Sequence, residues 1–419
     1  MIVRNARLRK KPGLVDIAIS GGKIESIESC GMIKKDYGKE INADGNLVTP
    51  TFVEPFIHLD KVFLAESVRE NISGTYSEAL EIVRRKKASY TVEMVKEKKQ
   101  MEERMDRYIR LAVGNGVTII RSHVDVDTIA ELVPLEALLN VKKKYSGIVD
   151  LQIVAFPQEG IIKDEGTEEL LHKAMEAGAE VVGGVPANEM TDEDSKKHLD
   201  IVFDIAKEYD ADIDVHVDET DDPSSRTLHY LAVKTIKEGY QGRVTAGHAC
   251  ALTAYDDYYA AKVIQLVKEA EISIKSGPQC EMMLQGKLDK QPIRRGITRV
   301  KELIKAGVNV TYGQDITVDP FVPYFGQADP LEIGQVMALA AQLYSKDELE
   351  ILFDMPTINA ARAMRIEDYG VEAGKTASFN VLEAQTVQEA FRKRADRLFV
   401  VKSGKVIAEN KKIQKLYLT

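Results

Sequence analysis

Eight short apolar runs, each followed by a stretch of helical pattern, occupy the middle of this 419-residue chain. They lie at 51–61, 117–124, 149–156, 180–185, 212–217, 243–248, 272–276 and 309–313. One strand per helix predicts parallel strands joined by crossover helices, and eight such units close a (β/α)8 TIM-type barrel of the α/β class. Small residues before several of the strands, Gly114-Asn115-Gly116, Ala177-Gly178 and Ala306-Gly307, are apt helix terminators. A charge-rich segment from about 77 to 115 reads as one long helical stretch after the first strand. No low-complexity linker divides 51–370, so the barrel is assigned to that range.

The ends differ from the middle. Short β-rich runs at 1–6, 15–20 and 23–27, with a turn at Gly21-Gly22, are echoed at 377–382, 396–401 and 405–408, with a turn at Ser403-Gly404. This pattern predicts one small β-sandwich domain built from both termini, 1–50 plus 371–419.

Composition narrows the setting. A formal net charge of −9 gives no basic footprint, which argues against a nucleic-acid partner. Three widely spaced cysteines, Cys30, Cys250 and Cys280, form neither a disulfide framework nor a zinc knuckle. The start of the chain has no apolar segment before a cleavage site, and no apolar run approaches the roughly 18 residues of a membrane span. We expect a soluble, unprocessed, cytoplasmic protein with no membrane partner. The absence of Trp and an aromatic content of 6% suit a core built on aliphatic packing.

Polar residues at the C-terminal ends of barrel strands face the mouth, where such folds do their chemistry. His58 ends the first strand, and His216 ends the fifth with Glu219 three residues on, a spacing that can offer a metal ligand and a general acid/base to one small volume. The same segment can also be read as a solvated acidic rim of Asp212, Asp214, Asp218 and Glu219. His248 ends the sixth strand and Asp315 follows the eighth, where a carboxylate can bind metal and hold an attacking water or simply cap the next helix. His123, at the end of the second strand, reads as structural or as support behind the site, and His172, His198 and His229 read as surface residues. Cys250 and Cys280 read as packing residues. In the seventh strand Ser273 and Lys275 share the face opposite Ile272 and Ile274, so the Lys275 ammonium points into the barrel or toward its rim, as a substrate-binding group or a solvated lysine.

The wording of these segments resembles the amidohydrolase superfamily, and its cytosine deaminase branch in particular. The residues that carry the resemblance are VEPFIHLD (53–60), LQIVAFPQEG (151–160), DVHVDE (214–219), TAGH (245–248), LQGK (284–287), RRGITRVKEL (294–303) and the Asp315 segment, and it extends over nearly the whole chain. It implies a barrel with a terminal β-sandwich, one divalent metal ion (zinc or iron), a small heterocyclic substrate and a homo-oligomer. Carried over residue by residue, it makes His58, His216, Asp315 and His248 the metal set, Glu219, His248 and Asp315 catalytic, and Gln158 the amide that holds the ring. A planar amide with one donor and one acceptor side matches a lactam edge. The 284–287 and 294–303 segments are expected to shape the loop over the pocket. Binuclear relatives carboxylate a fourth-strand lysine to bridge two metals; the fourth strand here, VVGGVP, has none, so the resemblance implies one ion.

Four positions depart from that pattern: Phe56 where a second histidine is usual, Gln314 for histidine, Ile316 for a carboxylate that contacts a pyrimidine, and Lys275 for an apolar residue. The loss at 56 and the gain at 275 could be one linked change. The implied activity is hydrolytic deamination of an exocyclic amine on a small nitrogen heterocycle. Two alternatives stand beside it: hydrolysis of a cyclic amide, or a metal-depleted member that binds ligands or works without metal, for which an ordered Lys275–Asp315 contact would be the mark.

Overall fold

The computed structural model describes residues 1–413 and 415–417. The N-terminal strands are β1 (Ile2–Leu8), β2 (Val15–Ser20), β3 (Lys23–Ser29), β4 (Glu40–Asn42) and β5 (Leu47–Pro50). The barrel follows as β6 (Phe52–Ile57), β7 (Val117–Asp125), β8 (Asp150–Phe156), β9 (Val181–Gly184), β10 (Asp212–Val217), β11 (Val244–His248), β12 (Ser273–Ser276) and β13 (Val310–Tyr312), and the chain ends in β14 (Phe379–Leu382), β15 (Arg397–Lys402) and β16 (Lys405–Glu409).

Strands β6 to β13 pair in sequence order, and every pair is parallel. Most are buried on both faces, which is why they read as near-continuous apolar runs rather than as alternation. The ring closes just past β13: Asp315 N–H donates to the Phe56 carbonyl at 2.6 Å, and His58 N–H donates to the Asp315 carbonyl at 3.1 Å. The seam of the barrel is therefore made by residues of the mouth itself. The expected (β/α)8 architecture is present, with small differences in strand ends.

The terminal strands form a second sheet in the order β16-β15-β14-β5-β1-β2-β3, with β4 beside β1. C-terminal β14 inserts antiparallel to β5, which joins the two ends of the chain. β1 pairs with β4 along Ile2–Arg4 and with β5 along Arg7 and Leu8, so it serves both halves of the sheet. The halves bury Val3, Ile17, Val48, Phe379 and Val401 in one apolar cluster, separate from the barrel core.

Gly116 fastens this sheet to the barrel. Its φ is +82°, its carbonyl accepts from Asn380 Nδ2 at 3.0 Å, and a Cβ there would lie 2.5 Å from that nitrogen. Gly116→Ala is expected to cost at least the roughly 1–2 kcal/mol of a left-handed non-glycine residue, read as a lower denaturation midpoint.

Two expectations are corrected. The stretch from 77 to 115 is two helices, α1 (Tyr76–Lys87) and α2 (Met94–Gly114), because the chain turns at 88–93 to bury Tyr90 and to send Lys87 into a buried carboxylate cluster. His198 is not a surface residue: it is fully buried, accepts Val185 N–H at Nε2 (3.0 Å) and faces Glu189 Oε1 from Nδ1 at 2.7 Å. Among the described residues no helix is long and apolar enough to cross a membrane.

Candidate active site

The polar residues at the strand ends converge. His58, Gln158, His216, Glu219, His248 and Asp315 line one pocket, which also takes in Lys61, Tyr76, Cys280, Ile316 and Phe321. Each follows or ends a barrel strand, so the parallel arrangement alone delivers them to the same rim. Local backbone geometry then aims them. His248, Ala249 and Asp315 hold φ of +65°, +52° and +61°, conformations that non-glycine residues adopt at some cost. Asp218, at φ +51°, accepts N–H groups from Thr227 and Leu228 at 2.8 and 3.0 Å, and this anchors the turn on which Glu219 faces the pocket.

The distances place acid, base and imidazoles in one small volume. His58 Nε2 is 3.7 Å from Asp315 Oδ1, and His248 Nε2 is 3.6 Å from Glu219 Oε2. The His216 ring meets those of His248 and His58 edge-on, with centroids 4.8 and 5.2 Å apart. Behind His248, Glu281 Oε1 lies 3.3 Å from Nδ1; that carboxylate is buried and also accepts Gly277 N–H at 2.8 Å and Ser276 Oγ–H at 2.6 Å.

Burial sets the charge states. Desolvation, aided by the nearby cationic side chains, holds His58 and His216 well below the usual imidazole range, so both are neutral with lone pairs to offer. Burial pushes the Glu219 carboxyl up to about 7 against the opposing pull of His248. Burial would lower His248 as well, but the carboxylates of Glu219, Glu281 and Asp315 outweigh it and raise that imidazole to about 9.

The donor set fits a divalent cation. His216 Nε2 is buried without a hydrogen-bond partner, the kind of orphan a metal would satisfy. His216, Glu219 and His248 each present one ligand-capable atom within 4.8 Å of the others, and so do His58, His123 and His216. In the second group His123 Nε2 faces the Lys275 ammonium at 2.8 Å and Asp214 Oδ1 at 3.2 Å, while its Nδ1 is buried without a partner.

Lys275 is where the structure departs most from expectation. It does not reach the pocket and cannot touch a substrate there. It is fully buried below the Phe56 ring, with Nζ 3.9 Å from the ring centroid, and it donates to Asp214, which also accepts from Arg121 Nη1 at 2.8 Å. Burial lowers its pKa to about 8 against the pull of Asp214, so it remains an ammonium at neutral pH. Gln314 also turns from the pocket, donating to Gln279 Oε1 and accepting Ala328 N–H at 3.2 Å. Ile316 does line it. The 284–303 segment is tied to the β10 side of the mouth, with Gly286 N–H on Asp221 Oδ2 at 2.6 Å and Arg294 Nη1 on the Asp221 carbonyl at 3.2 Å.

Sequence reasoning missed Tyr76, Phe321, Glu281 and Lys61. Lys61, three residues after His58, puts Nζ 3.2 Å from His58 Nδ1 and 2.5 Å from Asp125 Oδ1. Glu281 follows a strand end, like the residues that were found, and that position was its available signal. Tyr76 and Phe321 sit on a helix start and a loop, where no pattern marks them.

Residues 39–412 match the amidohydrolase family. The chain belongs to this family. It is 32% identical to N-isopropylammelide isopropyl amidohydrolase of Pseudomonas sp. (strain ADP), covering 99% of this chain and 98% of the relative. It is 33% identical to pterin deaminase of Rhizobium rhizogenes, covering 94% and 87%. Among solved structures, 5-methylcytosine deaminase from Klebsiella pneumoniae, liganded with 5-fluorocytosine, superimposes with a TM-score of 0.94 at 37% identity, covering 100% of this chain and 99% of the other. As an amidohydrolase, the protein is a hydrolase of carbon–nitrogen bonds other than peptide bonds, in accord with the sequence-based expectation.

Proposed function

We propose that this amidohydrolase removes an exocyclic amine from a small nitrogen heterocycle by hydrolysis. The observation that carries the reading is the convergence of Gln158, Glu219, His248 and Asp315 with two neutral imidazoles, His58 and His216, around one pocket. The relatives named above, a 5-methylcytosine deaminase, a pterin deaminase and an N-isopropylammelide isopropyl amidohydrolase, support a heterocyclic substrate.

His58, His216 and Asp315 would hold the cation, with His248 beside them. When bound, a divalent ion supplies the acidification of water that hydrolysis near neutral pH needs. The remaining work falls to the chain. The Gln158 side-chain amide pairs with a ring carbonyl and its neighbouring ring nitrogen, which fixes which carbon faces the imidazole cluster. Glu219 takes the proton released as water adds and passes it to the departing amine, a task suited to a carboxyl poised near the working pH. His248, held as an imidazolium between Glu219 and Glu281, donates toward the reacting carbon's substituents. Phe321 and Ile316 supply apolar walls, and Tyr76 packs on Phe321 with centroids 5.4 Å apart, which keeps bulk water from the ring.

A Lys275–Asp315 ion pair would have favoured a protein that has given up its cation. The hydrogen-bond partners of Lys275 are instead Asp214 and His123.

The test is ammonia or amine release over a panel of aminopyrimidines, aminotriazines and pterins, with metal content measured on the same sample. Release that stops on chelation and returns with metal is expected; ring opening without amine release, or full activity in a metal-free sample, overturns the reading. The pH profile follows from the two groups. Glu219 must be deprotonated to accept the first proton, so kcat/KM rises with pH as that carboxyl loses its proton, and His248 must keep its proton, so it falls again at higher pH as the imidazolium is lost. A bell with those limbs is expected.

A further inference from the structure

Phe56 stands in the middle of the imidazole cluster. Its ring centroid is 5.5 Å from that of His123, 5.1 Å from His216 and 5.0 Å from His248, so position 56 is aimed at the same small volume as the cation's donors yet offers no donor atom. Strand alternation puts it on the same inward face as His58. Against the ring lies the Lys275 ammonium, 3.9 Å from the centroid and fully buried, an arrangement in which the negative face of the aromatic ring stabilises the charge. Asp214, reaching in from β10, pairs with that ammonium, and His123, from β7, receives it at 2.8 Å.

The room for this pair is built into the backbone. β11 carries Gly247 beside Lys275 and His216 in the strand register, and a Cβ there would lie 3.0 Å from Lys275 Cε, 3.3 Å from His216 Cδ2 and 3.5 Å from Phe56 Cζ. The contacts with Lys275 and His216 would be tighter than a close-packed interior tolerates without movement. Five strands thus contribute to one internal ammonium site.

The geometry points to Phe56 and Lys275 acting as a single unit that occupies a potential ligand position and limits the cation to donors on the mouth side, so that the ion is bound weakly enough to exchange. An imidazole at 56 alone could not serve as a ligand, because the Lys275 ammonium would bind it and repel the dication at the same time. Removing Lys275 alone leaves a phenyl ring with nothing to coordinate. Only the joint change creates a donor. The inference rests on the reading of His58, His216 and Asp315 as the cation's donors.

The test measures zinc affinity of the full chain by competition with a chromophoric chelator, with thermal melting as a check of folding, in wild type, Phe56→His, Lys275→Met and the double variant. The double variant is expected to bind zinc at least tenfold tighter than wild type, with each single variant within about threefold of it. Tenfold tighter binding by Phe56→His alone, or no gain in the double variant, overturns the proposal. If the methionine double variant does not fold, Phe56→His with Lys275→Gln, which keeps a donor for Asp214, is read by the same criteria. Wild type that binds no zinc while the double variant does would refute the cation in the proposed function and leave the unit standing.

Discussion

Glu219→Gln is expected to lower kcat by about 10²- to 10⁴-fold, the range over which a positioned acid/base contributes. The substitution keeps size and one acceptor, but the amide can neither take a proton from water nor deliver one to an amine. Its neighbours tolerate it: the carboxyl is already half neutral near pH 7, so losing its charge leaves no buried cation stranded except His248, which still faces Glu281 at 3.3 Å. Metal content and melting behaviour should therefore match wild type. Steady-state kinetics on whichever amine-bearing heterocycle the panel identifies, with elemental analysis of both proteins, checks this; a variant with full turnover would remove Glu219 from the mechanism.

Lys87→Met is expected to be the most damaging change for stability. The Lys87 ammonium is buried among three carboxylates, 2.5 Å from Asp127 Oδ2, 2.9 Å from Glu159 Oε1 and 3.2 Å from Asp125 Oδ2. Methionine fills the volume and strands the charges. Removing one partner from a buried ionic cluster costs about 3–5 kcal/mol. Part of that is relieved because Asp125 keeps Lys61 and Glu159 keeps Arg84. The change should also reach the site. Lys87 pins the far end of α1, whose first residue is Tyr76, and Glu159 directly follows Gln158. Urea unfolding should show a clearly lower midpoint, and at temperatures where the variant is folded KM should rise more than kcat falls, since positioning is lost rather than proton transfer. An unchanged midpoint would mean that Lys87 does not hold the cluster together.

The six strand-end residues that sequence reading singled out share one property: each lies at or just past the C-terminal end of a barrel strand. His58, Gln158, His216, Glu219, His248 and Asp315 are found together because the fold sends every such end to one rim, so recognising the strand was enough to place the side chain. Tyr76 and Phe321 escape that logic, since they come from a helix start and a loop whose paths depend on packing against Leu64, Val83 and Ile316. The helical stretch expected at 77–115 is divided in two for a related reason: its pattern is helical throughout, and the break is imposed by Lys87 and Tyr90 burying themselves against partners far away in the chain.

Lys275 shows where the boundary lies. The alternation of Ile272, Ser273, Ile274 and Lys275 determined that its side chain faces the barrel interior, and the order of strands determined that it stands next to β11. How deep it sits, and whether it meets a substrate or a carboxylate, was decided by the shear of the closed barrel, which sets Lys275 level with Gly247 and His216 and brings Asp214, His123 and Phe56 from three other strands around its ammonium. A buried charge is stable only where opposite charge and polarisable rings surround it, and that surrounding is a property of several strands at once, absent from any one of them.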